Sequence, residues 1–207
     1  HPGETTGNGR AAMNALTEIT IYLLQTAIGI YLLIMLLRFL LQLVLADFYN
    51  PISQFLVRAT NPIVVPLRRL LPARKRFDAA SLVLAIVLQL IAIAALLALY
   101  GTPLPGFSLL LAWSVVGVAG LLVKIYFFAL LAMIILSWVA PGSANPAVFL
   151  LYQITEPVMA PVRRVIPPLG GLDFSPILVF VLINVLQIAL RNLATGLGLH
   201  PALVMGI

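Results

Sequence analysis

The chain has 207 residues, of which 62% are hydrophobic and only 9% charged, with a mean hydropathy of +1.13 and a formal net charge of +6. Soluble domains carry about 25% charged residues, so this chain cannot cover itself with a solvated surface and reads as an integral membrane protein. It has no cysteine and its two histidines are His1 and His200, which excludes disulfides, thiolate metal sites, c-type haem attachment and imidazole ligation inside a membrane; no metal or cofactor is expected.

Residues 1–12, HPGETTGNGRAA, are polar and glycine-rich and read as a disordered upstream extension or cloning scar ahead of Met13. The first apolar span follows at 18–46. It carries Arg38 and Gln42, four residues apart and so on one helix face. Polar residues inside a span are functional candidates. The simpler alternative is that Arg38 snorkels to the membrane edge and the amide joins helices.

Next comes a segment rich in proline and arginine. Asn50-Pro51 and Thr60-x-Pro62 both have the form of a helix start, a capping side chain followed by proline in the first turn. Two short amphipathic helices are therefore predicted, lying flat at the membrane interface. Pro66 kinks the second and Pro72 ends it. From Pro62 onward, Ile63, Val64, Leu67, Leu70 and Leu71 form the apolar face, with Arg68 and Arg69 off it. Asp78 then opens the next span, where a carboxylate caps free N–H groups and can pair with the arginines of its own copy. That span, 79–100, holds no charge and is about 33 Å long as a helix, one hydrocarbon core. Its one strongly polar side chain is Gln89.

After the turn GTPLPG (101–106), the run 107–140 contains Lys124 and exceeds the length of a single span. It is either one tilted helix or two helices broken at Gly117 and Gly120. A second proline–arginine segment fills 145–173. The last span, 175–197, carries Asn184, Gln187 and Arg191 along one face.

These elements form one unit used twice, residues 13–100 and 107–200, related by an offset of 95 residues. Asn50, Pro51, Leu56, Thr60, Pro62, Pro66, Arg68, Arg69, Pro72 and Asp78 recur as Asn145, Pro146, Leu151, Thr155, Pro157, Pro161, Arg163, Arg164, Pro167 and Asp173. Roughly two identities in such a stretch would follow from residue usage alone. The expected fold is all-α: four transmembrane helices as two parallel repeats, each helix, amphipathic interfacial hairpin, helix. Two spans per copy insert both copies with the same orientation. Arginine and lysine concentrate in the two hairpins, which positive-inside bias assigns to the cytoplasm, with both termini outside. The basic charge lies beside membrane spans, so it points to topology and anionic lipid and not to nucleic acid.

The Arg68-Arg69 and Arg163-Arg164 pairs, with Asp78 and Asp173, have two readings. One is topogenic anchoring; the other is a site for lipid headgroups, anions or a membrane-protein partner. No nucleophile elbow, P-loop or metal-spaced carboxylate cluster appears, so catalysis is not supported.

The stretch DFYNPISQFLVRATNPIVVPLRRLLP and its second copy SANPAVFLLYQITEPVMAPVRRVIPPLGGLDFSP resemble the YggT family, also called YlmG-like, of small bacterial inner-membrane proteins. The resemblance runs from Met13 onward in the two-copy proteobacterial form, although ARKRFDAAS replaces PLGGLDFSP in the first copy. It implies association with membrane organisation, division and nucleoid positioning, with osmotic tolerance and, in plastid relatives, with assembly of cytochrome b6f cofactors. Two functions follow as expectations. The first is a non-enzymatic membrane scaffold or assembly factor acting through the four interfacial arginines. The second is a small transporter or channel in ion or osmotic homeostasis, with Arg38, Gln42, Asn184, Gln187 and Arg191 lining its path and Gln89 a further intramembrane polar candidate.

Overall fold

The computed structural model describes residues 4–166 and 173–204, with side chains from Ala15 onward. Long runs rich in Leu, Ile, Val and Ala, with no proline beyond the first turn, pair their backbone groups internally, the condition for entering hydrocarbon. They form α1 (Glu4–Leu43), α3 (Ala79–Leu99), α4 (Phe107–Val139) and α6 (Ser175–Gly196). In each of these a segment is long and apolar enough to cross a membrane, beginning in α1 at Ala15. Helix α1 itself begins at Glu4, inside the segment expected to be a disordered extension. Between the long helices lie α2 (Pro51–Arg68) and α5 (Pro146–Val165), and a short 3-10 turn (Pro201–Leu203) closes the described chain.

The four long helices stand side by side in the order α1, α3, α4, α6, with α3 against α4 forming the seam between the copies. Helix α2 packs on α1 and α3, α5 packs on α4 and α6, and α2 touches α5, so both shorter helices lie at the same end of the bundle. Two side-chain bonds cross between the copies there. Asn50 Nδ2 donates to Pro146 O at 2.8 Å, and Asp47 N donates to Gln153 Oε1 at 3.3 Å. This is the architecture of two parallel repeats.

Helix α4 is unbroken through Gly117 and Gly120. It matches α1 in register, both being first helices of a repeat. Gly117 serves packing instead of a break: a Cβ there would come within 2.8 Å of Val204 Cγ1. The C-terminal segment folds back over the end of the bundle remote from α2 and α5. It buries Leu199, Leu203 and Val204 against Ile93, Leu96 and Trp113. Trp113 Nε1 donates to Leu197 O and Gln25 Nε2 to Ala202 O, both at 2.9 Å. Both second helices of the repeats end alike. Gly101 and Gly198 take left-handed φ of 66° and 70°, and the next N–H in each case returns to the carbonyl five residues back, Leu97 and Ala194.

Candidate functional site: two arginine–proline helices at one end of the bundle

Helix α2 starts where Asn50 places its side-chain oxygen on Ile52 N, with Pro51 in the first turn; Asn145 and Pro146 do the same for α5 through Ala147 N. Thr60 and Thr155, expected to cap a second helix in each copy, cap nothing. Each segment is one continuous helix, through Pro62 and Pro66 in α2 and through Pro157 and Pro161 in α5. An interior proline removes one backbone bond and crowds the preceding turn. Here the turn before Pro62 gains other donors. Thr60 Oγ1 bonds Leu56 O at 2.6 Å, and Arg38 Nη1 reaches Val57 O at 3.2 Å. Thr155 Oγ1 bonds Leu151 O at 2.8 Å in the equivalent turn of α5. The face of α2 buried in the protein is Ser53, Leu56, Thr60 and Val64, while Ile63 and Leu70 turn outward. Helix α2 ends at Arg68, before Pro72 is reached, while Pro167 lies outside the described residues.

Against that face stands Arg38 of α1. It does not snorkel; it is 2% exposed. Besides Val57 O, its Nη1 donates to Thr60 Oγ1 at 2.6 Å and Asn61 Oδ1 at 2.9 Å. Its Nε lies 3.8 Å from Asp78 Oδ2 and has no hydrogen-bond partner among the described residues. Asp78, fully buried, caps α3: it accepts from Ser81 Oγ at 2.6 Å and Ser81 N at 3.4 Å. Arg68 Nη2 closes the cluster on Asp78 Oδ2 at 2.5 Å. Burial alone would raise the Asp78 carboxyl. Hydrogen bonds from Arg68 and Ser81, and the arginine charge, outweigh it and hold the group below the usual carboxylate range. Gln42, one turn along α1, donates to Lys75 O at 3.0 Å.

The second copy builds a different cluster from the same frame. At Arg38's repeat position stands Met133, and Thr155 Oγ1 meets its sulfur at 3.2 Å. Asn61 is replaced by Glu156. Arg163 Nη1 bonds both Glu156 oxygens, at 3.1 and 2.8 Å, and its Nε bonds Asp173 Oδ2 at 3.0 Å. Asp173 accepts from Ser175 N at 2.9 Å at the start of α6. Its desolvation is outweighed by the bonds from Ser175 and Arg163, which keep its carboxyl low. Arg163, Glu156 and Asp173 are all about a third or more exposed.

So in each arginine pair the first member turns inward to the aspartate that heads the next span. The second, Arg69 or Arg164, is exposed and takes part in no ion pair among the described residues. The remaining polar candidates do not meet. Arg38 and Gln42 face α2 and the loop before α3, and Gln89 is buried near Gly117. Asn184 and Arg191 are exposed on α6, with Gln187 half-buried; Asn184 bonds its own helix at Phe180 O. The sequence expectation of one polar path through these residues is therefore not met by the described side chains. Sequence reading missed Asn61, Ser81 and the tail contacts of Gln25, Trp113 and Gly117. The usable signal was where the repeat breaks, at Arg38/Met133 and Asn61/Glu156.

A family model described as CCB3/YggT matches twice, over residues 17–99 and 112–194. The uncharacterized protein PA0392 of Pseudomonas aeruginosa is 51% identical over 193 residues, covering 92% of this chain and 98% of that protein. The uncharacterized protein YggT of Escherichia coli K12 is 37% identical over 203 residues, covering 94% of this chain and all of its own length. The chloroplast protein CCB3 of Arabidopsis thaliana, named for cofactor assembly of complex C, is 36% identical over 74 residues, 35% of this chain and 42% of that protein. No solved structure matches. Two matched repeats over most of the chain, each carrying the asparagine-capped arginine–proline helix, make this chain a member of the CCB3/YggT family.

Proposed function

We propose that the protein is a non-enzymatic, multi-pass scaffold or assembly factor of the bacterial inner membrane. Its two arginine–proline helices face the cytoplasm and bind anionic lipid headgroups or an acidic membrane-protein partner. The observation that carries this reading is the division of labour inside each pair. Arg68 and Arg163 are spent on Asp78 and Asp173, while Arg69 and Arg164, at one register of the repeat, are exposed at the same end of the bundle. Topology needs positive charge near a span but no such repeated arrangement. Arg58, Arg74, Lys75 and Arg76 add exposed positive charge in the connecting segment of the first copy. The chloroplast relative, named as a cofactor-assembly protein, belongs to this class by its name.

The test is a titration of purified protein with short-chain phosphatidylglycerol, read as the shift in thermal unfolding. Wild type should be stabilised, and Arg69→Ala/Arg164→Ala should lose most of that shift while unfolding at the same temperature without lipid. Equal shifts in both proteins would overturn the lipid reading. Ion flux in proteoliposomes that disappears in Arg38→Ala/Arg191→Ala would instead establish the transporter or channel.

A further inference from the structure

The two copies differ in charge where they meet. The buried cluster of the first copy, Arg38, Arg68 and Asp78, carries one positive charge in excess. The solvent-accessible cluster of the second, Arg163, Asp173 and Glu156, carries one negative charge in excess. An open depression of about 520 Å3 is shared by the two copies, between the loops that flank α2 and the face of α5. Its first-copy wall is Val44 and Arg76; its second-copy wall is Tyr152, Gln153, Glu156, Pro157 and Ala160. Arg76 belongs to the run ARKR, which has no basic counterpart in the second copy, and Glu156 replaces an asparagine of the first. Each copy therefore supplies a charge that the other lacks. Arg76 is exposed and has no ion pair among the described residues. Glu156 is 52% exposed at its side chain, and its bonds to Arg163 leave part of its acceptor capacity free.

We infer that this depression is a binding site for a zwitterionic phospholipid of the phosphoethanolamine type, seated with its phosphate on Arg76 and its ammonium on Glu156. A guanidinium takes a phosphate through two parallel N–H donors. The ammonium carries N–H donors for the carboxylate, which a trimethylated choline headgroup lacks. Val44, Pro157 and Ala160 provide an apolar flank for the glycerol and the first acyl carbons. Tyr152 also lines the site and is exposed, and tyrosine is favoured at a membrane–water boundary. Charge opposes charge across the depression, so a purely anionic headgroup satisfies one wall and is repelled by the other. Arg76 also adds to the positive charge at this end of the bundle, but Arg69 and Arg164 do not line this site and its headgroup differs, so either reading can fail without the other.

The experiment is a titration of delipidated protein in a neutral detergent with dioctanoyl phosphatidylethanolamine, phosphatidylcholine and phosphatidylglycerol, and with soluble phosphoethanolamine. Binding is followed by thermal unfolding and by native mass spectrometry. Phosphatidylethanolamine should bind about tenfold tighter than phosphatidylcholine, the ratio one charge-assisted hydrogen bond supplies. Glu156→Gln should abolish that difference, and Arg76→Gln should weaken both zwitterionic lipids alike. Arg76 lies in a loop and holds no ion pair among the described residues, so its variant tests the site even where Glu156→Gln disturbs Arg163. Equal binding of the two zwitterionic lipids by wild type, or a preference that survives both substitutions, would overturn the site. An equal response to soluble phosphoethanolamine would overturn its assignment to a lipid.

Discussion

The two ends of α2 and α5 that meet the long helices are built on one plan and filled with opposite chemistry. In the first copy a guanidinium, Arg38, penetrates the helix bundle and ties α1 to α2 and to the head of α3 through Thr60, Asn61, Val57 O and Asp78. In the second, a thioether stands at the same register against the same threonine, and the charges move outward to Arg163, Glu156 and Asp173. Both arrangements cap the second span and hold the proline helix. They differ in the surrounding dielectric. Charges screened by water contribute little when paired and cost little when lost, whereas buried ones are costly to leave uncompensated. The joint of the first copy is therefore the costlier to break, and the second keeps its charges available at the surface.

The largest expected effect is that of breaking Asp78. Asp78→Asn leaves Arg38 buried without a counter-charge and should cost about 3–5 kcal/mol in detergent unfolding, against about 0–1 kcal/mol for Asp173→Asn. Similar losses at the two sites would end the contrast between the copies. The pH dependence has a defined sign. Because the Asp78 carboxyl is held low, its contribution is complete above about pH 4, the unfolded value, and is lost as pH falls through the lower folded one. Wild type and Asp78→Asn should thus differ at pH 7 and converge in strong acid.

Arg38→Met transplants the second copy's residue into the first. It leaves Asp78 with Arg68 and Ser81 but strips Thr60 and Asn61 of their donor. A loss of about 1–3 kcal/mol is expected, and an unchanged unfolding temperature would show the joint to be dispensable. Gly117→Ala strikes the opposite end, where the new Cβ meets Val204. Displacing the tail should cost about 1–3 kcal/mol, as overpacking does, and should speed thiol labelling of a cysteine introduced at position 203, which leaves Val204 in place, without altering labelling at position 69. At the bottom of the scale, Arg69→Ala and Arg164→Ala touch no partner among the described residues and should shift stability by about 0.5 kcal/mol or less. A larger change in detergent alone would mean that these arginines support the fold.

Much of the architecture was legible without coordinates. Hydrocarbon imposes the same two demands on any chain, a length near the membrane thickness and complete backbone hydrogen bonding, so apolar runs translate directly into helices. The 95-residue repeat then set the pairing of elements, and Asn-Pro marked the start of α2 and α5 correctly. Thr60-x-Pro62 misled because the same pair is locally a helix start and, inside a bundle, a buried threonine bonded back to Leu56 O with a proline tolerated after it. Nothing within ten residues distinguishes the two; Arg38, twenty-two residues upstream, does.

Without coordinates the chain already reads as a four-span helical membrane protein of two parallel copies, with paired arginines beside the aspartate that begins each second span. Periodicity, composition and repetition are local properties, and they suffice for elements and their order. It is packing that buries Arg38 instead of letting it snorkel, turns one arginine of each pair inward and the other out, makes Gly117 give room to the returning tail, and brings Arg76 of one copy and Glu156 of the other to one surface depression. Each of these depends on which distant side chain a group meets and how much water reaches it, and burial and charge compensation are properties of the packed whole.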